Sequence, residues 1–172
     1  MEKNNYTFSV FTKPWKEMSL SELGQFVSDL GFDGVELPVR PGFQVEPKNV
    51  RDGLMQAVEI FSKYGIEINS VAGPTDEATI AACGEAGVSI IRICVSISED
   101  GYMATEARLQ REYDDLVPLL DEQGVTLGIQ NHYGPDICNA MGIRHLIESM
   151  TPGTSVPFIV SSTFLLSVSY LR

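Results

Sequence analysis

The sequence predicts an α/β protein with a parallel sheet, and three observations carry that reading. Short β-rich runs begin near residues 7, 34, 66, 90 and 125. Each is followed by a stretch with apolar residues at helical spacing, and turn residues separate the two. Strand-helix units repeated in this way build a parallel sheet through right-handed crossovers. At 172 residues, 44% of them hydrophobic and 20% charged, the chain is long enough to bury one ordinary core.

The first run, Thr7 to Phe11, ends at Lys13-Pro14-Trp15. Ser19 and Glu22 then stand at capping-box spacing, with Leu20, Leu23, Val27 and Leu30 recurring behind them and Gly31 as the stop. Gly34 to Leu37 is the second strand, closed by Pro38, and Arg40-Pro41-Gly42 opens a loop toward Asn49. Leu54, Ala57, Val58 and Phe61 mark the second helix, ending before Gly65. Ile66 to Val71 is a third strand, and Asp76 to Ala86 a third helix with Asp76 or Thr75 as cap and Gly87 as stop.

Ile90 to Val95 is the fourth strand. The fourth helix, Thr105 to Gln123, carries Leu109, Tyr113, Leu116, Val117 and Leu120 on one face, with Pro118 expected to bend it. In the fifth strand Val125, Leu127 and Ile129 alternate with Thr126, Gly128 and Gln130. Gln130, Asn131, His132 and Tyr133 follow at its exit, ahead of a Gly134-Pro135 turn. Gly142 to Met150 reads as one more short helix. An open doubly wound sheet and part of a (β/α)8 barrel both accommodate this pattern. No GxGxxG follows the first strand and no Walker motif is present, so nucleotide binding has no support.

Beyond Met150 the composition changes. Residues 151–172 carry one charge, Arg172, whereas residues 1–150 carry all 23 acids and the other 11 of the 12 bases. The expected division is therefore 1–150 as the patterned domain and 151–172 as a divergent tail, with a sixth strand near Phe158 to Val160. The tail's apolar run is broken by serines and short of the roughly 20 residues a membrane span needs. A net charge of −11 disfavours nucleic acid, which requires clustered Lys and Arg. Three cysteines without CxxC spacing and no basic, apolar leader give the expectation of a cytoplasmic protein.

The segments FSVFTKPW, LGFDGVELPVRPGF, AGVSIIRICVSI and GVTLGIQNHYG, in that order and at barrel spacing, resemble the sugar phosphate isomerase/epimerase family of xylose-isomerase-like TIM barrels. The resemblance covers residues 7 to about 150. It implies an incomplete (β/α)8 barrel of about five β/α units, with a site at the C-terminal mouth of the strands. It also implies a divalent metal, Mn or Mg, and a small sugar or polyol substrate. In the family a Glu from the fifth strand is a metal ligand; here Gln130 stands at that position, a neutral amide that can bind a hard cation but cannot act as a base. The family's later ligands have no counterpart in this chain. The expectation is thus an impaired enzyme, from a truncated or frame-shifted product. The alternative is a non-catalytic fragment that self-associates, or binds a partner, through an open sheet edge.

Individual residues each have two readings. Glu36 has the parity of Gly34, opposite to Val35 and Leu37, and points either to a substrate hydroxyl as a catalytic group or to an internal ion pair with Arg92. Arg92, mid-strand between Ile91 and Ile93, holds a substrate oxygen or closes that pair. His132 is a proton carrier beside Gln130, or bonds a loop carbonyl. Asn131 joins it as a substrate-binding candidate. Lys13 and Trp15 follow the first strand, where an aromatic wall suits a sugar ring; packing of Trp15 beneath the loop is the other reading. His145, Cys94, Cys138, Glu99 and Asp100 read as structural or solvated.

Overall fold

The computed structural model describes residues 6–148 and the backbone of Phe158–Ile159. The strands are β1 (Ser9–Phe11), β2 (Gly34–Pro38), β3 (Glu67–Ala72), β4 (Ile90–Cys94), β5 (Thr126–Gln130) and β6 (Phe158–Ile159). The helices are α1 (Leu20–Asp29), α2 (Val50–Ser62), α3 (Glu77–Ala86), α4 (Tyr102–Gln123) and α5 (Ala140–Glu148). All neighbouring strands pair in parallel, in the order β1-β2-β3-β4-β5-β6. A doubly wound sheet must reverse its order at a switch point. This one never does, so successive right-handed crossovers put every helix on the same face, the winding of a barrel left open.

Strand parity sorts the side chains. Val35 and Leu37 of β2, Ile91 of β4, and Leu127 and Ile129 of β5 are fully buried toward the helices. They join Leu23 and Val27 of α1, Leu54 and Phe61 of α2, Ile80 of α3, Leu120 of α4, and Ile143 and Leu146 of α5 in one core. Fully burying each of these aliphatic or aromatic side chains stabilises the fold by about 1.5–3 kcal/mol. The opposite parity, Glu36 and Arg92 among them, faces the inside of the open barrel. A register shift between Val35 and Glu36 places Glu36 opposite Ser70 instead of Asn69.

Local chemistry sets most of the ends. Ser19 and Glu22 form a reciprocal capping box on α1, and Asp76 caps α3 through Thr79 N at 2.8 Å. Gly34 lies beneath Asn69, where an added Cβ would stand 1.8 Å from Oδ1; only glycine fits there. The structure moves several expected boundaries. β1 begins at Ser9, and α4 begins at Tyr102, one turn before the expected Thr105, because Gly101 (φ 92°) is the break. Thr105 is then in the first turn, where its Oγ1 accepts from Ser98 N at 3.0 Å. α4 runs on through Pro118. α5 starts at Ala140, since Asn139 Oδ1 accepts from Gly142 N at 2.8 Å and organises its first turn. The expected sixth strand is present as Phe158–Ile159, paired to Ile129 and Gln130. Met150 and the remainder of the 151–172 tail lie outside the described residues.

Candidate active site

The inside of the open sheet and the loops at its carboxyl ends enclose a cleft of about 1000 Å³. Lys13, Trp15, Glu36, Arg92, Gln130, Asn131 and His132 all line it. Five strand exits contribute to such a mouth in a parallel barrel, which is why residues distant in sequence meet there.

The floor is an ion pair. Arg92 donates to Glu36 Oε1 from Nη2 at 2.5 Å and from Nε at 3.1 Å, while Ser70 Oγ donates to Oε2 at 3.1 Å. Glu36 is 2% exposed and Arg92 7%. The guanidinium also lies over the Phe11 ring, 4.8 Å from its centroid, and its Nη1 is 3.7 Å from Cys94 Sγ. Burial lowers the Arg92 pKa, but the Glu36 carboxylate and Cys94 outweigh it, leaving the group above the usual arginine value. Both oxygens of Glu36 are thus committed. Of the two readings of Glu36, a catalytic contact to substrate and an internal ion pair with Arg92, the ion pair is the one formed here, as a buried carboxylate requires.

The rim is built by the loop after β5. His132 N donates to Ile137 O at 3.1 Å, Ile137 N to Val95 O at 2.9 Å, and Ile97 N to Pro135 O at 2.8 Å. This folds Asp136 back beneath His132. The imidazole Nδ1 is 3.1 Å from Asp136 Oδ2 and 3.1 Å from Tyr133 O, and the ring stacks on Tyr133 with centroids 4.5 Å apart. Asp136 Oδ1 accepts from Ser96 Oγ. A carboxylate and a carbonyl at Nδ1 fix the proton there in the neutral ring and leave Nε2 as the acceptor. Gln130 Oε1 is 3.9 Å from Cys94 Sγ, and Asn131 Nδ2 donates to Cys138 O at 3.4 Å. Desolvation raises the Cys94 thiol above its ordinary range despite the opposing pull of Arg92, so it is a poor nucleophile at neutral pH.

On the first-strand side, Lys13 and Trp15 share a 3-10 turn. Trp15 packs edge-to-face on Phe26 at 5.0 Å and its carbonyl accepts from Gln44 Nε2 at 2.9 Å. It therefore packs beneath the loop and borders the cleft at once. His145 lies away from the cleft, 3.3 Å from Glu106 Oε2 on α4.

Sequence reasoning missed Asp136 and Arg40. The signal for Asp136 was available in its i+4 spacing from His132 across Gly134-Pro135, where Gly134 takes φ 85° and reverses the chain. Arg40 shares the parity of Glu36 just past the end of β2, and lines the cleft. Among the described residues no three His, Cys, Asp or Glu side chains converge as a metal site. Asp136 and His132 are committed to each other, and Gln130 brings no charge. The donor set among the described residues does not fit a divalent ion.

No protein-family profile matches the sequence, and no curated protein matches it. Solved structures do. A candidate xylose isomerase from Rhodospirillum rubrum is 15% identical with a TM-score of 0.71, covering 91% of this chain and 65% of that one. D-psicose 3-epimerase from Clostridium cellulolyticum is 12% identical with a TM-score of 0.70, covering 90% and 63%. A xylose isomerase domain protein from Planctomyces limnophilus is 13% identical with a TM-score of 0.66, covering 91% and 64%. The chain spans less than two thirds of the length of each. No helix among the described residues is long and apolar enough to cross a membrane. Five parallel β/α units in sequential order, with these neighbours, give the chain the fold of the xylose-isomerase-like TIM barrels over its first five units.

Proposed function

We propose that this chain is a sugar isomerase- or epimerase-type barrel that moves a proton on a small sugar or polyol in the cleft at its strand ends. The observation that carries the reading is the His132–Asp136 pair at the rim of a cleft roomy enough for a small sugar. His132 Nε2 accepts a proton from the hydroxyl-bearing carbon beside a carbonyl, and the electron pair moves through the new C=C bond to the carbonyl oxygen; that carbon's hydroxyl proton passes to this oxygen as a new carbonyl forms there, and His132 returns its proton to the former carbonyl carbon. Asp136 holds the ring, and the Glu36–Arg92 pair is the rigid floor against which the sugar is placed. Turnover is expected to be slow, because Gln130 brings no charge at the fifth-strand position and no three His, Cys, Asp or Glu side chains among the described residues converge to hold an ion that would polarise the oxygens.

The test is incubation of ketoses and aldoses in D2O, with and without Mn²⁺, following deuterium at the reacting carbon by NMR. Slow exchange abolished by His132→Gln supports the reading. Exchange unaffected by that change overturns the assignment, and turnover at ordinary enzyme rates overturns the expected impairment.

A second reading concerns the edge. β1 has no neighbour on its outer side among the described residues, and Tyr6 and Phe8 beside it are 68% and 64% exposed. A three-residue edge strand flanked by exposed aromatics is suited to pairing with another copy or chain. Light scattering across a concentration series separates this from a monomeric enzyme.

A further inference from the structure

The cleft wall holds two thiols that the chemistry above leaves unused. Cys94 ends β4, and Cys138 lies in the loop after β5; both line the cleft and both are free. A short antiparallel contact joins their two segments. Ser96 pairs with Asp136, flanked by the bonds from Ile137 N to Val95 O at 2.9 Å and from Ile97 N to Pro135 O at 2.8 Å. Bonds that flank a pair in this way mark a non-hydrogen-bonded position, where opposed Cα atoms come about 4.5 Å apart. The Ser96 hydroxyl reaches Asp136 Oδ1, so the two side chains share one face. Carried back two residues on each chain, the same register sets Cys138 against Cys94, and the contact is hydrogen-bonded as far as Val95 and Ile137, the neighbours of both. Residues two apart on an extended chain share a face. Here that face is the cleft side, while Val95 and Ile137 are buried in the core. A disulfide needs Cα atoms about 4.4–6.8 Å apart, the spacing such a position supplies. Cys94 Sγ meanwhile has two long contacts, 3.7 Å to Arg92 Nη1 and 3.9 Å to Gln130 Oε1.

We infer that Cys94 and Cys138 are a dithiol site that closes to a disulfide in the cleft wall, with a low-molecular-weight disulfide such as glutathione disulfide as oxidant. The inference goes beyond the sugar reading and stands without it. Cys138, exposed, attacks one sulfur of glutathione disulfide as its thiolate, and one glutathione thiolate leaves. Cys94 then gives its proton to water, and its sulfur displaces the second glutathione from Cys138. Two protein thiols are oxidised, and one glutathione disulfide is reduced to two glutathiones. The order follows from the two environments: the half-buried Cys94 is shielded from a bulky oxidant but stands beside the mixed disulfide. Closure ties the segment that carries Asp136 to the end of β4, so the redox state of the pair sets how readily the cleft rim opens. Cys83, fully buried in the core, takes no part.

The experiment treats the dilute full chain with glutathione disulfide, blocks the remaining thiols with N-ethylmaleimide in urea, and maps the digest by mass spectrometry. The expected product has lost two hydrogens, joins the Cys94 and Cys138 peptides, and carries the blocking group on Cys83. Cys94→Ser is expected to stop at a glutathione adduct on Cys138, which the unaltered chain does not retain. In the oxidised chain, hydrogen exchange at the Ile97 and Ile137 amides, both bonded across the contact, is expected to slow by roughly tenfold. A glutathione adduct that persists on Cys138 of the unaltered chain overturns the inference, as does a disulfide to Cys83 or between two copies. A Cys94–Cys138 bond that leaves both amides exchanging at their original rate, or that lowers the urea midpoint of unfolding, overturns the link to the rim. Circular dichroism checks that Cys94→Ser folds; the map of the unaltered chain decides without it. Proton exchange on a sugar is not among the readouts, so neither proposal falls with the other.

Discussion

Replacing Arg92 by Met tests the buried floor of the cleft. At 2.5 Å the attraction between Arg92 and Glu36 is about 7 kcal/mol for an effective dielectric near 20. Removing the two ions from water costs several kcal/mol each, so the pair as a whole adds little net stability. Removing one partner is different: Glu36, at 2% exposure, keeps its desolvation cost and retains only the Ser70 hydroxyl. The expected loss is about 3–5 kcal/mol, a large part of the 5–15 kcal/mol typical of a whole domain. Glu36→Met should cost a similar amount, whereas the double Met variant should recover most of it. The assay is urea unfolding followed by circular dichroism, compared through the double-mutant cycle. Single variants losing under about 1 kcal/mol would mean the pair is hydrated and the parity argument wrong.

Other consequences are open to measurement. Ser19→Ala removes the capping box on α1 and should cost about 1 kcal/mol by the same unfolding assay. Gly34→Ala forces a Cβ to within 1.8 Å of Asn69 Oδ1 and 2.7 Å of Glu67 O; it should destabilise by about 1–3 kcal/mol, with only partial rescue by Asn69→Ala because the carbonyl remains. Burial raises the Cys83 thiol to about 12 from its ordinary 9.0. The folded state therefore holds a proton that the unfolded chain releases, and the stability this contributes, full below about pH 9, falls by about 1.4 kcal/mol per pH unit toward pH 12. Cys83→Ala should flatten that decline, and urea midpoints at pH 8 and 10.5 measure it. Finally, nitrogen NMR of the neutral side chains should find His132 protonated at Nδ1; with only two histidines, His145→Gln assigns the signals. A neutral ring protonated mainly at Nε2 would refute the Asp136 geometry.

The repeated strand-helix units were legible because period-2 and period-3.6 patterns alternate cleanly up to α5, and each unit is punctuated by glycine or a capping residue. What the pattern could not decide was strand order, since a doubly wound sheet uses the same local signals; only the hydrogen-bonded ladder distinguishes them. Within the cleft, Glu36 and Arg92 were legible through a plain conflict, charges at the centre of apolar strands. Asp136 was hidden because its position depends on the turn at Gly134-Pro135 and the bridge from Ser96 to Asp136, contacts 40 residues apart. Arg40 was read as the start of a loop, and nothing local indicates that this loop rises beside the β1 exit.

Stability and chemistry are divided in this barrel by depth as well as by parity. Along β2, Val35 and Leu37 build the core while Glu36, between them, builds the floor of the cleft, so a one-residue slip would expel all three. Any substitution at the floor therefore reports on folding first and on function second. The rim is otherwise: Lys13 and Arg40 are not tied to a carboxylate, and His132 is 43% exposed at its side chain and held mainly through its backbone and Asp136. Changes there cost little packing. Loss of binding or proton exchange at these three positions, in a chain that still folds, thus bears directly on the site, and the same loss at Glu36 or Arg92 does not.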